Sequence, residues 1–258
     1  MFRFILSLLV LVSTNLVIAN ESCKSVTISS HPNYPPFHWR DGASLTGASI
    51  VISQTIFESI GVTTDIQYAG PWKRVLKNAE LENIEFIPAL KNTVERQAYL
   101  YFTKESFAHN PVAVFVRRAE LFDVSELSDL SHYFGSINAG DRHGDPIDSF
   151  VSRQTSMQHI HGLEQNFKML ELGRTDYFIT GLYTGQQFIE VNDLQPKVEI
   201  KLVFEGLKVH NAFTRLFAAQ CPQVVNAFEE RLQVLKQQGL VNDAIERYGF
   251  KWQQISKL

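Results

Sequence analysis

Strand and helix patterns alternate along the first half of this chain, and this alternation constrains the fold more than any other feature. A β-branched strand pattern at 25–29 is followed by a helical pattern at 48–60, a strand at 63–68, a helix at 72–79 and a short apolar strand at 84–89. The order β-α-β-α-β predicts a parallel sheet with helices on its faces.

A second unit of the same kind follows, and the chain then ends in helical patterns. The predicted elements are strands at 112–116, 134–139, 177–179 and 210–218, and helices at 124–130, from 145, at 163–172, 222–237 and 240–248. No flexible linker sequence separates the two units. We therefore predict an α/β fold with two lobes, each a central sheet flanked by helices, joined by extended crossing strands.

The first 19 residues have the pattern of a cleavable signal peptide. Arg3 supplies the positive start, residues 4–12 are almost wholly apolar, and residues 17–19 match the compact residues that precede a cleavage site. A membrane anchor is the alternative, but polar residues 13–15 keep the apolar run below the roughly 20 residues that a span requires. The mature chain is therefore expected in the periplasm, without stable membrane insertion.

Charge argues against a nucleic-acid partner. Without Arg3 the chain carries 23 basic and 27 acidic residues, a net charge of −4, whereas nucleic-acid-binding domains usually present a basic face. The sequence contains no H-E-x-x-H motif, no C-x-x-C motif and no phosphate-binding loop. We therefore predict neither a metal nor a cofactor.

The chain has two cysteines, Cys23 and Cys221. In an oxidising compartment an isolated pair favours a disulfide. Two free, buried thiols are the alternative. A lipid anchor on Cys23 is disfavoured because residues 20–22 are too polar for such a signal.

Four short blocks carry a resemblance to a known family. They are a Tyr-Pro-Pro-Phe motif with two later glycine turns at 34–47, a Thr-Val-Glu-Arg motif followed by Tyr-Phe-Thr at 93–103, a Gly-Arg-Thr-Asp turn at 172–176, and a helix pair at 235–249. In this order they resemble the bacterial extracellular solute-binding proteins of family 3, the type that binds polar amino acids. Together the blocks extend over nearly the whole mature chain.

The resemblance implies a two-lobed periplasmic-binding-protein-like fold with a small-molecule ligand in the cleft. Lobe 1 would comprise residues 20–111 and 211–258, and lobe 2 residues 112–210, with two crossing strands as the hinge. A monomer that serves an ABC permease or a membrane sensor, without catalysis, is implied. An enzyme is the alternative, because relatives of this fold include a periplasmic dehydratase and cell-wall lyases. Asp141, His143 and Asp145 would then be the candidates for its acid and base, although Asp145 is better explained as a helix cap.

Arg96 occupies the place of the arginine that clamps the ligand in this family. A guanidinium fits a carboxylate with two parallel, charge-assisted hydrogen bonds, so the resemblance implies that Arg96 holds a ligand carboxylate. The alternative is a surface arginine paired with Glu95 or Glu105.

Three positions depart from the pattern of the family. His31 and residues 180–181 stand where amino-acid binders have the acids that hold the ammonium group of the ligand, and Lys91 replaces a serine. Arg142 and His143 lie near a predicted helix N-terminus, which itself favours anions. These departures predict a cationic cleft and an anionic ligand. Solvated surface charge is the alternative for Lys91 and Arg142.

Aromatic residues complete the predicted site. Tyr34 and Trp72 in lobe 1 and Tyr183 in lobe 2 are expected on the cleft walls, where aromatic rings sandwich flat or apolar parts of a ligand. Burial in the core is the alternative for each. Asp141, in the same loop as Arg142, is the remaining residue predicted to bind the ligand.

Overall fold

The computed structural model describes residues 23–118 and 123–255. Its strands are β1 Ser25–Ile28, β2 Asn33–Tyr34, β3 His38–Asp41, β4 Ser44–Thr46, β5 Thr63–Ile66, β6 Phe86–Lys91, β7 Leu100–Ala108, β8 Val112–Arg117, β9 Gly135–Asn138, β10 Gln158–Ile160, β11 Tyr177–Gly181, β12 Val198–Phe204 and β13 Val209–Thr214. Its helices are α1 Ala48–Ser59, α2 Trp72–Glu80, α3 Val94–Gln97, α4 Ile147–Arg153, α5 Leu163–Glu171, α6 Leu182–Val191, α7 Arg215–Gln220, α8 Pro222–Gln237 and α9 Leu240–Ile255, with a 3-10 helix at Leu127–His132.

Two five-stranded sheets define two lobes. The sheet of lobe 1 has the order β5-β1-β6-β13-β7, and the sheet of lobe 2 has the order β10-β9-β11-β8-β12. In lobe 1, β1 runs parallel to β5 and β6, whereas β13 runs antiparallel to β6 and β7. In lobe 2, β8 runs antiparallel to β11 and β12. The parallel arrangement predicted for the strands of the first unit, β1, β5 and β6, is therefore confirmed, whereas the strands next to the crossings between lobes run against their neighbours.

The chain crosses between the two sheets twice. It leaves lobe 1 after Ala108, the end of β7, and enters lobe 2 at Val112, the start of β8. It returns between Phe204, the end of β12, and Val209, the start of β13. This is the two-lobed α/β fold that the sequence predicted. Strand β13, Val209–Thr214, pairs with β6 and β7 of lobe 1, and the boundary expected between residues 210 and 211 falls inside this strand.

Phenylalanine rings fill the core of lobe 1. Phe57 of α1, Phe86 of β6, Phe213 of β13 and Phe228 of α8 are fully buried. The ring centroids of Phe57 and Phe86 are 5.0 Å apart and those of Phe86 and Phe213 4.8 Å apart, both edge to face, an arrangement that stabilises beyond the area it buries. The core thus holds β6 firmly, and β6 ends at Lys91.

Several elements differ from the sequence prediction. The strand expected at 210–218 ends at Thr214, whose Oγ1 accepts a hydrogen bond from the Phe217 N–H at 3.4 Å and caps α7. The last helix continues from residue 248 to Ile255. The sequence patterns did not predict β7, β12 or α6.

The predicted disulfide is confirmed. Cys23 and Cys221 are bonded, with their Cα atoms 5.6 Å apart, within the usual range for this bond. The bond joins the segment before β1 to the start of α8, both in lobe 1. The predicted signal peptide, residues 1–19, lies outside the described residues. Across residues 23–118 and 123–255, no helix has both the length and the apolar character that a membrane span requires.

Candidate ligand-binding site

A small cavity lies between the two lobes. Its volume is about 30 Å³, which is enough for about two water molecules. A larger molecule therefore fits only if the lobes separate or the lining side chains move. The lining residues are His31, Tyr34, His38, Trp72, Ala89, Leu90, Lys91, Arg96, Asp141, Arg142 and His143.

Arg96 is held on the lobe 1 side of this cavity. The Arg96 N–H donates to Thr93 Oγ1 at 3.3 Å, which caps α3 and fixes the residue. The buried guanidinium donates to the carbonyl of Lys91 at 2.9 Å and to the carbonyl of Gly140, in lobe 2, at 3.0 Å. Burial lowers the pKa of Arg96. These bonds use two of the five N–H groups of the guanidinium. Because Arg96 is only 3% exposed, the alternative of a surface arginine is excluded.

Trp72 makes a second contact across the cleft to the same carbonyl. Its Nε1–H donates to the oxygen of Gly140 at 3.2 Å, and its ring lies 5.4 Å from the Arg96 guanidinium and 5.4 Å from the ring of His31. Glycine is favoured at residue 140, because its φ of +95° would strain any other residue and a Cβ there would lie 3.1 Å from Trp72 Cδ1, a tight contact. Trp72 and Arg96 thus hold one carbonyl of lobe 2 together.

Lys91 lies at the end of β6, between the two chain crossings. Its Nζ donates to the carbonyl of Asn110 at 2.8 Å and to the carbonyl of Leu207. Asn110 lies between β7 and β8, and Leu207 between β12 and β13. Burial lowers the pKa of Lys91 to about 8. The ammonium group therefore holds both crossings of the hinge, and its charge is directed mainly at main-chain oxygens.

Arg142 lies at the rim of the cavity rather than in its centre. Its Nε donates to Glu95 Oε2 at 3.1 Å, and its side chain is 39% exposed. One further N–H donates to the carbonyl of Asp141. Since Glu95 belongs to α3 of lobe 1, this ion pair bridges the lobes and neutralises one of the cations that the sequence assigned to the ligand.

Asp141 brings a carboxylate to the cavity from lobe 2. Its Oδ1 accepts a hydrogen bond from Asn138 Nδ2 at 3.1 Å and lies 3.7 Å from His31 Nε2. On the other side of the His31 ring, Nδ1 accepts a hydrogen bond from the Asn33 N–H at 2.9 Å. Burial lowers the pKa of His31, so the imidazole offers little positive charge near neutral pH. The carboxylate of Asp141 is thus available to pair with a cationic group.

Two more histidines border the cavity. The Ser49 hydroxyl donates to the carbonyl of Phe37 at 2.9 Å, so its oxygen accepts from His38 Nδ1 at 2.8 Å and leaves Nε2 of that ring as an acceptor. His143, of lobe 2, is buried, and burial lowers its pKa to about 4. Among the described residues, no cluster of three or more potential metal ligands is present.

The two predicted tyrosines have different positions. Tyr34 lines the cavity, and its hydroxyl accepts a hydrogen bond from Asn110 Nδ2 at 3.0 Å. Burial raises the pKa of Tyr34. Tyr183 lies in the first turn of α6 with 43% of its surface exposed, and it is not among the lining residues. Its main-chain N–H donates to Asn110 Oδ1 at 3.2 Å. The structure therefore brings Tyr34, but not Tyr183, to the cavity.

Sequence reasoning missed two residues that shape this site, Asn110 and Ala89. Asn110 joins Tyr34, Lys91 and Tyr183 at the first crossing. Ala89 lines the cavity in a left-handed conformation, with φ +46°, and its N–H donates to Asn211 Oδ1 at 3.1 Å. Neither residue belongs to a recognisable motif, so the sequence carries no signal for these roles.

Comparisons with solved structures identify the same architecture. A mutant of ArgBP from T. maritima superposes with a TM-score of 0.74 and 17% identity over 88% of this chain and 96% of that chain. The amino acid ABC transporter substrate-binding protein AbpA from Streptococcus pneumoniae, bound to L-arginine, gives 0.75 and 18% over 90% and 97%. A histidine kinase sensor domain with similarity to periplasmic binding proteins gives 0.75 and 15% over 89% and 97%. At these identities the likeness establishes the fold alone.

Family membership follows from the sequence match. No curated protein matches this sequence. The family model described as bacterial extracellular solute-binding proteins, family 3, matches residues 26–251, which include both lobes, both crossings and every residue that lines the cavity. The chain therefore belongs to the bacterial extracellular solute-binding proteins of family 3.

Proposed function

We propose that this chain is a periplasmic binding protein that closes its lobes around a small zwitterion of the amino-acid class and delivers it to an ABC permease. One observation supports this most directly: the Arg96 guanidinium of lobe 1 and the Asp141 carboxylate of lobe 2 line the same cavity. A carboxylate on Arg96 and an ammonium group on Asp141 would connect the lobes through one ligand. Such a ligand binds the closed form better than the open form and so favours closure.

An exclusively anionic ligand, which the sequence suggested, is not supported. Arg142 is paired with Glu95, and Lys91 is bound to two carbonyls, so two of the predicted cations are already engaged. Asp141 adds a negative charge to the cavity. AbpA is bound to L-arginine, and an ancestral arginine-binding protein of the same fold is bound to glutamine. Neither of these ligands is an anion.

We further propose that the protein binds its ligand without chemical change. Asp141 and His143, the candidates for acid–base catalysis, both line the cavity. An efficient general base has a pKa near the working pH, whereas the pKa of buried His143 is lowered to about 4. A membrane sensor is the second candidate for the partner, since the histidine kinase sensor domain superposes over 89% of this chain. Loss of ligand uptake on deletion of the gene would favour transport over sensing.

Calorimetry with matched ligands tests the proposed function. Each amino acid is compared with its desamino analogue, for the natural protein and for Asp141→Asn, Arg96→Gln and the surface control Glu164→Gln. We expect the amino acid to bind roughly 10- to 100-fold tighter than the desamino acid, as one charge-assisted contact provides. Asp141→Asn should remove this difference, and Arg96→Gln should weaken both ligands.

Two outcomes contradict the proposed function. Equal affinity of the natural protein for the amino acid and its desamino analogue would show that Asp141 does not hold an ammonium group. Recovery of a chemically altered ligand, measured by mass spectrometry after incubation, would establish an enzyme instead of a binding protein.

A further inference from the structure

His143 is a buried polar side chain without a partner on the wall of the cavity. The residue is only 4% exposed, and both ring nitrogens lack a hydrogen-bond partner among the described residues. Leaving a buried polar group unpaired is unfavourable, and such groups in folded proteins usually have a specific reason. The cavity that His143 lines, together with Lys91 and Arg96, is where a partner would enter.

The surrounding loop holds His143 in this position. Its N–H donates to Asp148 Oδ1 at 2.8 Å, and its carbonyl accepts from the Leu207 N–H at 3.1 Å. The next residue, Gly144, donates its N–H to Asp148 Oδ2 at 2.9 Å and has a left-handed φ of +84°, where a Cβ would lie 2.5 Å from Leu207 Cγ. The unpaired ring therefore belongs to a fixed main chain, and a loop movement is not needed to explain it.

The ring is neutral near pH 7. Burial, opposed by the negative charge of Asp141 and assisted by the positive charge of Lys91, lowers the pKa of His143 to about 4. A neutral imidazole has one N–H donor and one acceptor nitrogen. A ligand group that both donates and accepts can therefore pair with either nitrogen, whichever tautomer is present.

We propose that His143 determines specificity by binding an uncharged polar group, a hydroxyl or a carboxamide, on the side chain of the ligand. This inference rests on the proposed function, in which Arg96 and Asp141 hold the carboxylate and ammonium groups. An apolar side chain would leave the imidazole unpaired, and sites built around a hydrogen bond reject analogues that lack the group. A cationic side chain on the ligand would be repelled by Lys91, and an anionic side chain would be repelled by Asp141.

Pairs of amino acids with similar shape test this assignment. Glutamine is compared with methionine, and threonine with valine, by calorimetry on the natural protein, His143→Leu, His143→Gln and the exposed control His161→Leu. In at least one pair we expect the polar amino acid to bind roughly tenfold tighter than its apolar partner, as one net hydrogen bond provides, and His143→Leu to equalise the pair. His143→Gln, which keeps a donor and an acceptor, and His161→Leu should preserve the preference.

Thermal unfolding separates this role from a structural one. If His143 is unpaired because its partner is the ligand, the substitution His143→Leu removes an unpaired polar group from the free protein. The variant should then unfold at a temperature no lower than that of the natural protein. Equal binding within both pairs, tighter binding of arginine or glutamate, or an unchanged preference in His143→Leu would overturn the inference while the proposed function stands. Binding of none of these amino acids would overturn both.

Discussion

Single residues show where a motif is informative and where it is not. Arg96 was placed in the cleft by the Thr-Val-Glu-Arg motif, and the buried guanidinium does line the cavity. Lys91 also lines it, but its ammonium group contacts carbonyls that are 19 and 116 residues away in sequence. Main-chain oxygens are present at every position and have no sequence signature. From the sequence alone, a lysine that joins the two chain crossings therefore cannot be distinguished from a free cation.

The unusual environment of Lys91 predicts a pH dependence of stability. Burial lowers its pKa from 10.5 to about 8, so between these values the unfolded chain binds more protons than the folded one. Stability should therefore rise with pH in this window, and the cost of the buried charge is fully present below pH 8. The total change should be about 3 kcal/mol.

Urea unfolding from pH 6 to pH 10 measures this effect against Lys91→Met, which has no amine to titrate. The difference in unfolding free energy, natural protein minus Lys91→Met, should be constant below pH 8 and then rise. Lys104→Met, at an exposed position, controls for the loss of a surface charge. A difference that stays flat or falls above pH 8 would show that the folded protein keeps Lys91 charged without cost.

At the level of helices and strands, the boundaries of an element were predicted correctly where a strong local signal sets them. Helix α8 has the predicted limits, 222–237, because proline opens it and an amphipathic pattern continues to its end. Strand β7 was missed because buried and exposed residues do not alternate strictly along it, so its sequence lacks the period-two pattern that predicts a strand. Its formation depends instead on pairing with β13, more than a hundred residues later in the chain.

The disulfide joins two segments of lobe 1, and its removal should lower the free energy of unfolding more than it changes the affinity for the ligand. Cys23 and Cys221 are 198 residues apart in sequence, and neither lines the cavity. In the loop-entropy description, a closed loop of this size contributes up to about 5 kcal/mol. The double variant Cys23→Ala with Cys221→Ala should therefore unfold at lower urea concentration and keep its affinity for the ligand. An unfolding free energy equal to that of the natural protein would contradict this.

At the scale of the whole molecule, the sequence predicted two lobes and the crossings but not the surfaces that meet in the cleft. The contacts that close it join residues far apart in the chain: Arg96 and Trp72 with Gly140, and His31 with Asn138. Which side chains meet depends on the angle between the lobes. That angle is set by hinge conformation and packing together, and no local pattern encodes it.

Closure of the lobes should change the fluorescence emission of Trp72. Its indole donates to the carbonyl of Gly140 across the cleft and is 5% exposed, so separation of the lobes exposes it to water. The other two tryptophans, Trp39 and Trp252, contact each other with ring centroids 5.1 Å apart and do not line the cavity. Ligand addition should therefore shift tryptophan emission to shorter wavelength, mainly through Trp72.

The variant Trp72→Phe separates movement from other causes of this signal. It should remove most of the change in emission and weaken binding by roughly tenfold, because a hydrogen bond that forms only in the closed form is lost. Trp39→Phe, remote from the cavity, should keep both the emission change and the affinity. Small-angle scattering on Trp72→Phe should still show compaction at saturating ligand, since the phenylalanine ring fits in the same cleft. A full emission change in Trp72→Phe would place the moving part of the molecule elsewhere than between Trp72 and Gly140.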